Sequence, residues 1–180
     1  MIFKETSLSG AFVIDIEKNV DERGFFARTW CRNEFSEHNL NTDLAQFSIS
    51  FNKKKGTLRG LHFQINPYEE IKIVRCTSGS IYDVIVDLRK DSATYLQSFG
   101  IELTAQNRTM LYIPEKFAHG FITLEDNTEV FYMISEFYAP ESSKGIRWDD
   151  PRLAINWPVT PKVMSAKDRN LPLFDEKVLL

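Results

Sequence analysis

The fold is decided by one stretch near the middle of the chain, Ile71-Lys72-Ile73-Val74-Arg75-Cys76-Thr77-Ser78-Gly79-Ser80-Ile81-Tyr82-Asp83-Val84-Ile85-Val86-Asp87-Leu88. Residues 71–76 alternate apolar and polar side chains, apart from Val74, with the period of a β-strand. A turn follows at 78–80. Residues 81–88 are then rich in β-branched side chains, and alternate residues share one face. The stretch predicts two successive strands joined by a short turn.

The segments on either side favour further strands rather than helices. Strand-like runs with turn residues between them occupy 98–103, 110–113, 120–124 and 129–135. Strands of this length and spacing favour an antiparallel sandwich or barrel. Helix is favoured over 33–40, with Asn33 as cap and Phe35 on the apolar side, and in a short segment opening at Ser165. The sequence predicts an all-β jelly-roll barrel with a few short helices.

The C-terminal part of the chain is rich in proline, which prevents long regular elements. Five prolines fall within 140–172, but Ile146, Trp148, Ile155 and Trp157 supply more apolar surface than a disordered tail would carry. We therefore expect an ordered wrap around the barrel. No linker or repeat divides the chain, so residues 1–180 are expected to form a single domain.

Composition excludes several classes of protein. The 180 residues include 22 Lys and Arg and 25 Asp and Glu, a net charge of −3, which argues against a nucleic-acid binder. No apolar run approaches the ~20 residues of a membrane span, and the N-terminus lacks a signal-peptide core. Cys31 and Cys76 form no CxxC motif and are expected to be buried thiols. These features predict a cytoplasmic protein with no nucleic-acid or membrane partner.

The stretch Gly56-Thr57-Leu58-Arg59-Gly60-Leu61-His62-Phe63-Gln64 carries the first candidate chemistry. On a regular strand, Arg59 and His62 would point to opposite faces because they are three residues apart. Gly60 permits a bulge that would bring both side chains inward. The alternative is a regular strand with a buried histidine and a surface arginine.

A second constellation, Ile113-Pro114-Glu115-Lys116-Phe117-Ala118-His119-Gly120, places a histidine at the start of a strand, near the mouth of the barrel. Together, the two stretches resemble the two-part cupin signature. Gln64 stands at the second histidine position of that signature, and Glu69 and Glu70 lie near its glutamate. An amide oxygen is a poor ligand for a divalent metal, so the metal set is incomplete. A metal held by two histidines and a glutamate stays open as an alternative.

The chain resembles the dTDP-4-dehydrorhamnose 3,5-epimerase family over separated blocks that run in order along almost its whole length. These blocks are 21–26, 56–64, 72–76, 83–89, 113–121, Tyr132, 138–141, 148–151, 157–158 and 165–168. The resemblance implies a cupin-like fold, no metal or cofactor, and a homodimer with exchanged N-terminal strands. Residues 11–14, which are apolar, are the candidate exchanged strand.

The resemblance implies an epimerase that inverts a carbon next to the C4 ketone of a nucleotide-linked 4-keto-6-deoxyhexose. Such chemistry needs a base, a group that stabilises the enolate oxygen, and an acid on the opposite face. The positions that match the family are His62 as base, Asp168 as the carboxylate that orients it, Lys72 as the cation and Tyr132 as the acid.

The resemblance also implies a set of residues that bind the substrate. Arg59 and His119 match contacts to the sugar and phosphate, and Tyr138 matches a residue that stacks on the base. Arg23 and Gln46 match residues that bind the nucleotide, expected to come from the partner subunit. Lys167 matches a phosphate contact. The implied substrate-binding set is therefore Arg23, Gln46, Arg59, His119, Tyr138 and Lys167. The third histidine of the chain, His38, matches nothing in the family and is expected at the surface.

The departures from the family pattern concern substrate recognition rather than catalysis. Arg28 replaces a glutamate, Glu70 replaces a glutamine, and Ser143 replaces a glutamate found in some members. Changes of this kind can redirect specificity. Another nucleotide or sugar, epimerisation at C3 alone, and a 3,4-ketoisomerase reaction therefore stay open. The non-enzymatic alternative is a module that binds a sugar nucleotide without turnover.

Overall fold

The computed structural model describes residues 1–176, in which β-strands predominate. The strands are β1 Ile2–Glu5, β2 Phe12–Asp15, β3 Asn19–Asp21, β4 Gly24–Phe26, β5 Gln46–Asn52, β6 Leu58–Gln64, β7 Lys72–Ser78, β8 Ser80–Asp87, β9 Ser98–Thr104, β10 Met110–Ile113, β11 Phe117–Thr123, β12 Thr128–Ile134 and β13 Ser143–Gly145. The helices of this part of the chain are α1 Arg32–Glu37 and α2 Ala166–Arg169, and neither is long and apolar enough to cross a membrane.

The strands form two main sheets and a separate hairpin, all antiparallel. One sheet has six strands in the order β1-β2-β10-β7-β12-β5, and the other has five in the order β13-β6-β11-β8-β9. Strands β3 and β4 pair only with each other. The predicted all-β architecture with short helices is confirmed.

The deciding stretch forms two strands that belong to different sheets. Strand β7 lies inside the six-stranded sheet and β8 inside the five-stranded sheet, so the turn at Gly79 crosses from one layer to the other. Gly79 has φ +73°, and a Cβ there would lie 2.5 Å from Thr128 Oγ1, so only glycine fits. Side chains from both sheets meet in a common core that includes Val74 and Val130 from one layer and Ile85 and Phe121 from the other.

The outer faces of the two sheets are covered by the non-strand segments. Helix α1 places Phe35, which is fully buried, against the outer face of the six-stranded sheet. The C-terminal segment places Ile146, Leu153 and Phe174 against the outer face of the five-stranded sheet. The predicted ordered wrap around the barrel is therefore confirmed.

Helix α1 and one of the cysteines differ from the predictions. The helix has Cys31 as its N-cap residue instead of Asn33, and it ends at Glu37 because Asn39 takes a left-handed conformation with φ +57°. Cys31 is only half-buried, whereas Cys76 is buried as expected. His38 is exposed and stacks on Phe3, with ring centroids 4.1 Å apart.

Candidate active site

A cavity of about 510 Å³ lies between the two sheets and contains most of the predicted catalytic side chains. It is lined by Ser48, Ile49, Ser50, Arg59, His62, Lys72, His119, Phe121, Tyr132, Ile134 and Tyr138. A larger cavity, of about 860 Å³, lies beside the 88–95 loop and contains none of the predicted site residues. The sheet geometry therefore brings together residues that are up to 90 positions apart in the sequence, from Ser48 to Tyr138.

A bulge in β6 points both Arg59 and His62 into this cavity. His62 pairs with His119 and Arg59 pairs with Phe121, so β6 has one more residue than β11 over this interval. Gly60 sits in the bulge with φ +135°, and a Cβ there would lie 2.5 Å from the Cα of Gly120. The bulged alternative is confirmed, because both side chains line the cavity, although Arg59 stays exposed there.

The His62 imidazole is held by a carboxylate from the C-terminal wrap. Its Nε2 lies 2.7 Å from Asp168 Oδ1, and the Asp168 side chain is only 6% exposed. Burial raises the pKa of Asp168, but hydrogen bonds from His62 and Ser165 outweigh it, so the pKa lies below its usual value. The carboxylate therefore accepts from Nε2–H, which leaves the Nδ1 lone pair as the basic atom.

Asp168 is placed by the first turn of α2. The Ser165 hydroxyl accepts a hydrogen bond from the Asp168 backbone N–H at 3.0 Å, and so caps the short helix predicted to open at Ser165. The cap fixes the direction in which the Asp168 side chain leaves the helix. An aspartate next to Lys167 and Arg169 would ordinarily form a surface ion pair. The burial of Asp168 excludes that role.

A second histidine–carboxylate pair lies beside the first. His119 Nε2 donates to Asp83 Oδ1 at 2.8 Å, and both side chains are buried. The imidazole was expected at a strand start near the barrel mouth, but His119 sits in the middle of β11 because the strand begins at Phe117. Sequence reasoning missed Asp83. The pattern that could have identified it is the alternation Ile81, Asp83, Ile85, which places an acid on the core-facing side of β8.

Tyr132 projects from β12 against the second pair. Its ring meets the His119 ring edge to face, with centroids 6.0 Å apart. Burial, followed by the negative charge of Asp83, raises the pKa of Tyr132 far above its usual value, and Arg59 opposes this only in part. The phenol therefore stays protonated and can act as a hydrogen-bond and proton donor in the cavity.

Lys72 is buried in the cavity wall rather than solvated. Its side chain is 11% exposed, and Nζ lies 2.6 Å from Glu70 Oε1. The arginine at the cavity mouth is also held, because Arg59 Nε donates to Asn52 Oδ1 at 2.8 Å. The cavity thus presents two fixed cations beside the histidine pairs, an arrangement suited to an anionic ligand or intermediate.

Tyr138 and Gln46 lie together at the edge of the cavity. The Tyr138 backbone N–H donates to Gln46 Oε1 at 3.1 Å, and the Tyr138 side chain is exposed. An exposed aromatic ring at a cavity edge can stack on a flat ligand group. Gln46 had been expected to act from the partner subunit, but here it contacts a cavity residue of its own chain.

Besides Gln46, which only borders the cavity, two predicted binding residues are absent from its lining within this chain. Arg23 lies in the β3–β4 hairpin, where its guanidinium pairs with Asp21 and is 85% exposed. Lys167 is exposed on α2 next to Asp168. Neither residue lines the cavity.

Gln64, at the second histidine position of the cupin signature, is held by hydrogen bonds to backbone groups of two loops. Its amide N–H groups donate to the carbonyls of Tyr68 and Phe137, and its oxygen accepts from the Ala139 N–H. Gln64 therefore ties together two loops that flank the cavity. Within residues 1–176, no group of three or more His, Cys, Asp and Glu side chains is arranged to hold a metal ion.

The fold and the cavity define a class of protein: a cupin-like barrel with a histidine–carboxylate pair, a buried cation and a protonated phenol around one pocket. Residues 5–176 match the family model described as dTDP-4-dehydrorhamnose 3,5-epimerase. The chain belongs to this family.

Relatives and solved structures agree over the full length. A dTDP-4-dehydrorhamnose 3,5-epimerase of Methanothermobacter thermautotrophicus is 44% identical over 99% of this chain and 97% of the relative. The crystal structure of the Bacillus anthracis epimerase with TDP and PPi bound has a TM-score of 0.92 and 41% identity, covering 96% of this chain and 99% of that one. A Legionella pneumophila epimerase in complex with dTDP-4-keto-L-rhamnose has a TM-score of 0.91 and 33% identity, covering 99% and 96%.

Proposed function

We propose that this protein is an epimerase that inverts C3, C5 or both, next to the C4 ketone of a nucleotide-linked 4-keto-6-deoxyhexose. The observation that carries the proposal is the His62–Asp168 pair, which shares one cavity with Lys72 and Tyr132. The ligands named for the Bacillus anthracis and Legionella structures support a dTDP-linked sugar as the substrate.

The proposed reaction moves one proton off a carbon and one proton back. His62 takes the proton from the carbon next to the ketone, and Asp168 stabilises the imidazolium that forms. The electron pair of the broken C–H bond moves to the ketone oxygen, and the Lys72 ammonium stabilises this enolate. Tyr132 then donates its proton to the opposite face of the carbon, which inverts the centre. The phenolate regains a proton from solvent and His62 loses one, so nothing is consumed.

The substrate is proposed to lie with its nucleotide toward the exposed edge of the cavity. Tyr138 would stack on the base there, with Gln46 beside it. Arg59, His119 and Lys167 would meet the sugar and the phosphates, for which charged hydrogen bonds are the strongest contacts. Arg23 would come from the partner subunit.

We further propose that two copies of a single cupin-like domain form a homodimer. The outer face of β5 exposes Phe47, Ile49 and Phe51 by 62%, 64% and 51%, and the hairpin exposes Val20 and Phe26. Exposed apolar side chains in such number are typical of a protein interface. In the described chain β2 pairs with β10 of its own subunit, and the same edge would accept β2 of the partner in an exchanged dimer. The free thiols Cys31 and Cys76 suit the reducing cytoplasm.

Hydrogen exchange tests the proposed function directly. dTDP-4-keto-6-deoxyglucose incubated with the protein in deuterated water should lose its C3 hydrogen, its C5 hydrogen or both, as followed by proton NMR. Loss of both the C3 and the C5 proton signals would identify a 3,5-epimerase, and loss of the C3 signal alone would identify a 3-epimerase. A product whose ketone has moved to C3 would instead identify a ketoisomerase. Binding by calorimetry without any exchange would show a binding module, and the epimerase proposal would then be wrong.

A further inference from the structure

A carboxylate stands directly against the cation that the proposed reaction uses. Glu70 Oε1 and Lys72 Nζ are 2.6 Å apart, and each side chain is only 11% exposed. Exposed ion pairs contribute little because solvent screens them. This pair is largely withdrawn from solvent, so the position of the carboxylate strongly influences where the ammonium group lies.

The contact leaves Lys72 able to act in the cavity. An ammonium group has three N–H donors, and the bond to Glu70 uses one of them. A lysine without a fixed partner samples many positions, because its charge sits on a flexible four-carbon stem. The bond to Glu70 restricts that freedom, while Lys72 still lines the cavity with His62 and Tyr132.

The backbone that carries Glu70 is itself held on both sides. The Ile71 N–H donates to Ser135 Oγ at 2.9 Å, and the Ser135 N–H donates to the Ile71 carbonyl at 3.2 Å. On the other side, Gln64 donates to the Tyr68 carbonyl at 2.9 Å. The carboxylate therefore projects from a segment that is anchored to β6 and to the end of β12.

We propose that Glu70 is a positioning residue, which acts on the reaction through Lys72 by holding the ammonium group where the enolate oxygen develops. This inference rests on the proposed function and deepens it. Glu70 does not line the cavity and touches no substrate in this scheme.

Two effects of the carboxylate oppose each other, and positioning is the larger. The negative charge offsets part of the field of the ammonium group, which by itself would weaken enolate stabilisation. However, a buried ammonium without its partner would turn to other acceptors. A direct hydrogen bond between charged groups also depends steeply on geometry. Removal of the acceptor should therefore slow the reaction.

The test compares Glu70→Ala with Glu69→Ala. The first removes the acceptor of the Lys72 ammonium group, which a glutamine oxygen would in part replace. The second is a matched control, because Glu69 is the adjacent carboxylate and approaches Lys116, at 3.8 Å, instead of Lys72. We expect Glu70→Ala to lower kcat for the 4-keto sugar about tenfold or more with KM within about twofold, and Glu69→Ala to leave both unchanged. Crystal structures of wild type and Glu70→Ala should show Lys72 Nζ displaced in the variant.

The outcomes separate this proposal from the proposed function. If the wild type shows no exchange with a 4-keto nucleotide sugar, the proposed function fails. If the wild type is active and Glu70→Ala keeps kcat within about twofold, only the positioning role is wrong. The role is also wrong if kcat falls while Lys72 stays in place, or if KM rises by as large a factor as kcat falls. Should Glu70→Ala not fold, Glu70→Asp keeps the charge, shortens its reach and should lower kcat in the same way.

Discussion

His62 and His119 are direct partners in the β6–β11 pairing, yet each imidazole is hydrogen-bonded to a carboxylate from a different part of the chain. His62 binds Asp168 from α2, and His119 binds Asp83 from β8. The two rings are therefore not interchangeable. The first pair is partly open to the cavity, with His62 39% exposed, whereas the second is enclosed. This difference favours His62 as the base and leaves His119 beside the phenol of Tyr132.

Removal of the base should abolish exchange while leaving the fold intact. We expect His62→Asn to lower the rate of C–H exchange by about 10²–10⁴-fold, the usual contribution of a general base. Asp168→Asn should lower the rate by a similar factor, because an amide no longer stabilises the imidazolium. His38→Ala is the control, since His38 lies outside the cavity. The measurement is the exchange rate by NMR at equal protein concentration. Full activity of His62→Asn would refute the role of His62 as the base.

Tyr132→Phe should separate the two halves of the reaction. The variant keeps the base and the cation, so it should still exchange the substrate hydrogen with solvent. It lacks the proton donor on the other face, so inversion should fall by about 10²-fold or more relative to exchange. The ratio of deuterium incorporation to epimerised product in one NMR time course measures this. Equal loss of both quantities would contradict the assignment of Tyr132 as the acid.

Strand alternation and turn residues act locally, and they predicted the layered β architecture and the wrap. Most of the cavity residues, in contrast, were implied by the family resemblance. The β6 bulge was left open, since it depends on the close approach of Gly60 to Gly120 in another strand. The role of Asp83 was missed because an inward carboxylate has meaning only when its histidine partner is known. Arg23 could not be placed either, as its proposed site is formed by a second copy of the chain.

Protonation of Asp87 at low pH should destabilise the protein, because Asp87 holds the 88–97 loop through hydrogen bonds. Burial raises the pKa of Asp87, but hydrogen bonds from Arg89, Ser92 and Thr94 outweigh it and bring the pKa from 3.8 to about 2. A lowered pKa contributes stability above pH 3.8 that is lost as the pH falls toward 2, and the shift corresponds to about 2 kcal/mol. Asp87→Asn should therefore be less stable than wild type at pH 6, with the gap closing below about pH 4 in denaturant melts. A gap independent of pH would contradict this linkage.

Gly60→Ala should destabilise the protein through a backbone clash. The added methyl group would lie 2.5 Å from the Cα of Gly120, at a φ of +135° that other residues avoid. We expect a loss of about 3 kcal/mol in the free energy of unfolding. Gly10→Ala is the control. Its φ is also positive, at +83°, but the nearest contact of the added methyl group would be at an ordinary 3.6 Å, so we expect a loss of only about 1 kcal/mol in the free energy of unfolding. Equal losses in both variants would show that β6 and β11 can separate to admit the methyl group.

Mixing two inactive variants should restore activity if Arg23 completes the partner's site. Arg23 is 85% exposed on its own hairpin and lies outside the cavity of its own chain. Arg23→Ala and His62→Ala each inactivate both sites of a homodimer. A heterodimer of the two combines the intact Arg23 of one subunit with the intact His62 of the other in one of its sites.

Random pairing makes about half of the dimers mixed, so mixtures denatured and refolded together should regain about a quarter of wild-type activity. Each variant refolded alone is the control, and native mass spectrometry confirms that mixed dimers have formed. Mixed dimers without recovered activity would place Arg23 outside the partner's site. A monomer at all concentrations would contradict the dimer itself, because the apolar side chains Phe47, Ile49 and Phe51 would then have no partner surface.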